Sequence, residues 1–452
     1  MLSPWHAPAA RTFRLVLLAS PTLAGRGVQF AALAGLAVVV TPRAYGEFIV
    51  LQALVLGAAS VVGSTTGAAL NAQAARASRA GAAPVVALVH LLLRPRRVVL
   101  FGNALLCALV VPAGAACLLG GALDLHVLLL LAVVGAASGT LPVGEAFVAV
   151  LAGSGRTASA AWTESARAVT ASAAALAGGA LAGPAWAAAG LVVPDVLLSS
   201  VLLVMAGVTR ARNASIPAVS SPPEAPPREG LVAGIGANLL GQIAAWGVLW
   251  AVGAVSGPVG LGVYGVALRF ASVVTVAPVI LGKLVLGDLA APSPGRDQWT
   301  PRSFLTVLTV LSVAASCASF AVLVVVFPAL VDTYAGLVPV TLAVLAAACA
   351  RAALVALGAV CVARRQWTTW VVADLVSLVV VLAGIAVVVV GHCGLVAVVV
   401  VSAIGNVAGV VVRGAAQRGY RPAPPRAPAT KAPVAPPSGV DVPRPVLERH
   451  RS

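Results

Sequence analysis

The feature that most constrains this chain is a succession of about twelve apolar runs, each near the ~20 residues a helix needs to cross a hydrocarbon core. They cover roughly 15–40, 46–70, 98–120, 126–150, 162–183, 185–207, 231–255, 259–284, 303–328, 337–362, 368–391 and 393–413. In lipid the backbone N–H and C=O groups of a lone segment must be satisfied within it, so such runs predict helices. Hydrophobic residues make up 60% of the chain and charged residues 9%. Mean hydropathy is +1.03, more than a soluble domain of this size could cover with polar surface. The expected fold class is an all-α integral membrane protein.

Charge then orients the spans. The net charge of +16 would suggest a nucleic-acid partner in a soluble chain. Here the basic residues fall almost wholly in short loops and the C-terminal tail, so they report topology and no nucleic acid is expected. Arg76, Arg79, Arg94, Arg96 and Arg97 share one loop; Arg156, then Arg210, Arg212 and Arg228, then Arg296 and Arg302, then Arg364 and Arg365 occupy the others on that side. The alternate connections hold Arg43 alone. The positive-inside rule makes the basic side cytoplasmic, places both termini inside and requires an even number of spans. Lysine occurs only at 283 and 431 while Ala, Val and Gly dominate, the bias of a GC-rich bacterial genome, so a bacterial plasma membrane is expected. Residues 1–14 lead into the first apolar run without a small-residue cleavage site, predicting an uncleaved span.

The longest interior break, Arg210 to Gly230, contains Pro222, Pro223, Pro226 and Pro227 and divides the spans six and six. That predicts a six-helix bundle over 15–207, a cytoplasmic linker over 208–230, and a second bundle over 231–413. From 414 to 452 a Pro-rich basic tail is expected to be disordered. The apolar segment Pro84 to Leu93 is too short to cross and is expected at the interface. Gly27–Leu70 and Gly241–Lys283 share a layout: an apolar span, a short turn with proline, then Gly46-Glu47-Phe48 or Gly262-Val263-Tyr264 opening the next span. Such an internal repeat is common in transporters.

Arg26, Arg269 and Arg351 stand deep inside apolar runs. At ~1.5 Å per residue, Arg26 lies about 16 Å from the inner end of its span, Arg269 about 15 Å and Arg351 about 20 Å from their outer ends. Intramembrane arginines survive by facing a water-filled cavity, a partner helix or an anionic ligand. Three at one depth predict a shared central cavity that holds something negative. Gln29 and Gln242 begin corresponding parts of the first and seventh spans and are candidates for head-group contacts. Asp195, following Pro194, could form a helix break that lines the cavity and either bind a coupling cation or neutralise an arginine. Asp374 lies about 9 Å from the inner face and is a second ion-coupling candidate. Glu47 and Glu145 read as interfacial or paired.

The six cysteines lack C-x-x-C spacing and a nearby histidine, so neither disulfide nor metal is expected, and no Walker loop or nucleophile motif points to a cofactor or a reaction. The outer connections 121–125, 183–185 and 391–393 are too short to hold an extracytoplasmic catalytic domain.

Thr41-Pro42-Arg43-Ala44-Tyr45-Gly46-Glu47-Phe48 and Gly262-Val263-Tyr264-Gly265-Val266-Ala267-Leu268-Arg269 resemble the two signature turns of polysaccharide flippases. These belong to the superfamily that includes O-antigen exporters, lipid II flippases and multidrug and toxin extruders. The resemblance covers roughly residues 12–413. It implies a V-shaped pair of six-helix bundles alternating between inward- and outward-open states, and a substrate that is an oligosaccharide on a polyprenyl pyrophosphate. Membrane lipids and the glycosyltransferases or polymerase of the same pathway are the partners it implies. Two alternatives stand beside it: a cation-coupled multidrug exporter of the same superfamily, dependent on Asp195 or Asp374, and an integral-membrane glycosyltransferase or polymerase.

Overall fold

The computed structural model describes residues 6–79, 97–119, 123–212, 228–289 and 300–418. Among them the chain is helical throughout, with no strand. The elements are α1 (His6–Val39), α2 (Pro42–Arg79), α3 (Arg97–Leu119), α4 (Leu125–Ser138), α5 (Leu141–Gly153), α6 (Thr157–Ala182), α7 (Pro184–Arg212), α8 (Arg228–Leu289), α9 (Pro301–Val326), α10 (Pro328–Thr333), α11 (Leu337–Ala363), α12 (Trp367–Val390) and α13 (Leu395–Arg418).

Ten stretches are long and apolar enough to cross a membrane. One of them, Val232–Val276, is 45 residues long and breaks at Gly257, whose φ of 65° and ψ of −170° are open to glycine and costly for a side chain. It therefore makes two arms, and the seventh and eighth expected spans are these arms. The fifth expected span is α6, which is not among the ten because Thr163, Glu164, Ser165, Arg167 and Thr170 dilute its hydropathy. At 26 residues it is still long enough to cross. The structure thus accounts for all twelve expected runs. The run expected over 126–150 is divided at Gly139–Thr140, where α5 restarts with Pro142 in its first turn, a residue that cannot continue the preceding hydrogen-bond ladder.

Boundaries differ from the expectation in places. The first helix begins at His6, so part of the expected N-terminal segment is helical. Helix α7 continues to Arg212 and α8 begins at Arg228, which narrows the linker to residues outside the described ones. The last helix runs on to Arg418, past the expected start of the tail. The expected interfacial segment Pro84 to Leu93 and the tail beyond Arg418 lie outside the described residues. Pro194 does not break α7: the helix runs through it, with Pro194 itself buried. Proline removes one N–H and one ladder bond, and packing against α6 and α2 holds the rest of the helix in place.

Several ends follow from local chemistry. Thr300 caps α9 in a reciprocal capping box with Ser303, and Pro301 occupies the first helical position. Arg365 (φ 56°) ends α11 in the left-handed region, and His392 (φ 48°) does the same after α12. Large apolar side chains such as Leu181, 87% exposed, and Val390, 80% exposed, point outward, as lipid-facing residues do.

The spine of the molecule is α2 packed along both arms of α8. At the end where α2 begins and α8 kinks, Gly46 abuts the Pro258 carbonyl and Gly262 abuts the Pro42 carbonyl, in both cases where a Cβ would overlap the oxygen. Pro42 and Pro258, and Gly46 and Gly262, hold matching places in the two halves, so the crossing is self-complementary, as a pseudo-two-fold axis requires. Gly265 meets Ile49 just below. Aromatic rings close the same end: Phe30 of α1, Phe270 of α8 and Phe327 after α9 form a T-shaped triad with centroids 5.1 to 6.3 Å apart. Tyr334, after α10, donates to the Ala37 carbonyl of α1 at 2.8 Å. Burial, with Tyr45 beside it, pushes the Tyr334 phenol above its ordinary range, so it remains a donor.

Candidate functional site

The residues singled out in the sequence fall into three places. The first is the spine. Arg269, on the second arm of α8, is half-buried and reaches across to α2. Its Nε donates to the Tyr45 hydroxyl at 3.2 Å and its Nη2 to Gln52 Oε1, while the Phe48 ring lies 5.8 Å from its guanidinium carbon. Tyr45 in turn donates to the Leu33 carbonyl of α1 at 3.1 Å, so one chain of hydrogen bonds joins α8, α2 and α1. Deeper on the same spine, Gln242 donates to the Ser60 hydroxyl at 3.0 Å and Trp246 to the Ala53 carbonyl at 3.1 Å.

The second place lies within the first half. Arg26 donates to Gln29 at 2.8 Å and pairs with Glu164 of α6 at 3.2 Å. One turn along α6, Arg167 pairs with Asp195 of α7, its Nε donating at 2.6 Å and its Nη2 to the same oxygen. Glu164 and Arg167 are three residues apart on one helix face, so the four residues form a ladder from α1 through α6 to α7 in which cations and anions balance.

The third place lies within the second half. Arg413 of α13 is 2% exposed and pairs with Asp374 of α12 at 2.7 Å. It also donates to the Leu354 carbonyl of α11 and, at 3.3 Å, to the Trp370 carbonyl of α12, tying three helices together. Arg351 of α11 is exposed; its guanidinium lies 3.3 Å from where a Cβ on Gly241 would sit, facing the first arm of α8. It is within electrostatic reach of Asp374, which therefore faces two cations.

Arg26, Arg269 and Arg351 are thus held by three different sets of neighbours: a carboxylate, a pair of neutral acceptors, and the electrostatic reach of a carboxylate already engaged. Glu164, Asp195 and Asp374 each have a direct arginine partner, whereas Arg269 and Arg351 have no carboxylate in direct contact among the described residues. A cation in a membrane without a counter-charge is costly, and an anion reaching either arginine would meet a guanidinium with no carboxylate bonded to it. Sequence reasoning missed Glu164, Arg167, Gln52 and Arg413. The lowered hydropathy of α6 and the three-residue spacing of Glu164 and Arg167 were available signals; Gln52 had only its place inside an apolar run, and Arg413 stood at the end of one. Among the described residues no cluster of His, Cys, Asp and Glu could hold a metal.

No protein-family model and no curated protein matches the chain. Solved structures do. A Vibrio cholerae MATE transporter, VcmN, solved as a single-substitution mutant, has a TM-score of 0.63 at 12% identity, over 92% of this chain and 99% of that one. An outward-facing MATE multidrug resistance transporter of the MOP superfamily gives 0.61 at 16% identity, over 89% and 94%. A MOP superfamily transporter from Pyrococcus furiosus, whose binding pocket is described as having reverse polarity and suggesting a different function, gives 0.58 at 15%, also over 89% and 94%. The chain has the fold of the MATE transporters of the MOP superfamily.

Proposed function

We propose that this chain is a plasma-membrane flippase that moves a polyprenyl-pyrophosphate-linked oligosaccharide across the bilayer by alternating access, for synthesis of a surface polysaccharide. The observation that carries the reading is the pair of intramembrane arginines, Arg269 and Arg351, left without a directly bonded carboxylate after Glu164, Asp195 and Asp374 have each taken another arginine. A pyrophosphate offers the charge and the bidentate oxygen geometry that guanidinium groups favour. Arg26 and Gln29 would contact the head group from the first half, and Gln242 from the second. Asp195 and Asp374 would serve coupling only by exchanging their arginines for an ion during the cycle. Both termini are assigned to the cytoplasm, and the binding partners would be the lipid-linked substrate and the enzymes that make or polymerise it.

The rival reading, a cation-coupled multidrug exporter, is favoured by the solved MATE structures, one of which, DinF-BH, is described as a multidrug transporter. The two separate in cells. Deleting the protein should deplete surface glycan and leave lipid-linked precursor on the inner leaflet. Arg269→Ala or Arg26→Ala should fail to restore export while inserting normally. Restoration by both variants, or sensitivity to cationic drugs with unchanged glycan, would refute the flippase reading. An integral-membrane glycosyltransferase or polymerase is disfavoured by the short described connections at 40–41, 183 and 391–394 on the side expected to face outward.

A further inference from the structure

Arg269 is held in an unusual way for a cation inside a membrane. Its partners, Tyr45 and Gln52, are neutral and both lie on α2, in the opposite half of the molecule. Tyr45 stands within the reciprocal glycine crossing, beside Gly46, and Gln52 lies further along α2; Tyr45 carries the bond on to the Leu33 carbonyl of α1. The Arg269 neighbour, Phe270, is one ring of the aromatic triad that joins α1, α8 and the residue after α9. The side chain best placed to meet an anion is therefore also a tie between the halves.

We infer that Tyr45 and Gln52 couple ligand binding to opening of the outer end: they hold Arg269 across the halves until an anionic ligand takes it from them. The inference rests on the anionic substrate proposed above and adds what binding does. A guanidinium pairs with phosphate oxygens ion to ion and in a bidentate fork, whereas Tyr45 and Gln52 offer it only neutral acceptors. A phosphate at Arg269 therefore displaces Gln52 and Tyr45. The glycine crossing and the aromatic triad, neither of which holds a charge, then remain as the contacts that keep the outer end shut. A ligand shifts such an equilibrium only by its differential affinity for the two states, and here that difference arises at Arg269, which the closed state must partly surrender. Tyr45 and Gln52 are positioning residues: they act through Arg269.

The test uses the full chain in lipid nanodiscs, with the accessible cysteines Cys117, Cys317, Cys349 and Cys393 replaced by alanine. Spin labels are placed by Arg43→Cys and Val259→Cys, exposed positions flanking the crossing, and their separation is read by double electron–electron resonance. Tyr45→Phe with Gln52→Leu keeps both shapes and removes both acceptors. It should raise the open-to-closed ratio on the order of tenfold with no ligand present. In the parent protein, geranylgeranyl pyrophosphate should produce the same lengthening, and in Arg269→Gln it should produce none. A double variant with the parent's ligand-free distances overturns the latch. Equal lengthening by the pyrophosphate in Arg269→Gln and in the parent overturns the coupling. A parent that does not bind the pyrophosphate overturns the proposed substrate instead, and the ligand-free comparison still decides the latch.

Discussion

Arg413→Met offers the most direct reading of what the buried charges do. In the native protein Arg413, 2% exposed, satisfies Asp374 and two backbone carbonyls on neighbouring helices. Methionine fills a similar volume and donates nothing. It leaves Asp374, 11% exposed, with Arg351 as its nearest cation but no direct bond to it. Removing one partner of a buried ion pair costs about 3–5 kcal/mol. Arg351 should turn towards Asp374 and recover part of this, while the Leu354 and Trp370 carbonyls stand inside α11 and α12, where the helix ladder still engages them, and add little. The net expectation is a loss of about 3–5 kcal/mol, large for any fold. Adding Asp374→Asn removes the orphaned charge and should restore the greater part. Unfolding can be followed with a thiol-reactive dye, because Cys361, fully buried in the same layer, reports opening of this half. An Arg413→Met protein as stable as the parent, or a double variant no more stable than the single one, would show that the pair does not hold α11, α12 and α13 together. Normal stability with lost transport in Asp374→Asn alone would give that carboxylate a coupling role instead.

Two further expectations follow from the same geometry. Gly46→Val or Gly262→Val forces a side chain against a carbonyl of the opposite half; each should cost about 1–3 kcal/mol in the closed form and shift the spin-label distances at the crossing outward, whereas unchanged distances would show that the crossing is not a close contact. Cysteines introduced by Arg43→Cys and Arg365→Cys should react with a membrane-impermeant thiol reagent from opposite sides of intact cells, only the former from outside; the reverse pattern would overturn the assigned orientation.

The spans were legible because lipid imposes one rule on every backbone group, and runs of apolar residues satisfy it visibly. The kink at Gly257 was foreshadowed by Ser256-Gly257-Pro258, and the matching glycines of the two halves by the repeat. The break at Gly139–Thr140 was hidden, since glycine and threonine are common inside membrane helices. At the site, depth alone identified Arg26, Arg269 and Arg351. Their partners were not legible, because pairing depends on which helix faces meet. Glu164 and Arg167 lie on a span of lowered hydropathy; for Asp195 the helix break after Pro194 does not form, while the neutralised arginine is there as Arg167 on the preceding helix.

The measurement closest to the central claim is binding of geranylgeranyl pyrophosphate to the purified protein in nanodiscs, compared with a cationic dye. A charge-assisted hydrogen bond contributes about 1.5–3 kcal/mol, so Arg269→Ala and Arg351→Ala should each weaken pyrophosphate binding by roughly 10- to 100-fold while the fold persists. Pyrophosphate affinity indifferent to both arginines, or tight dye binding that depends on Asp195 or Asp374, would contradict it.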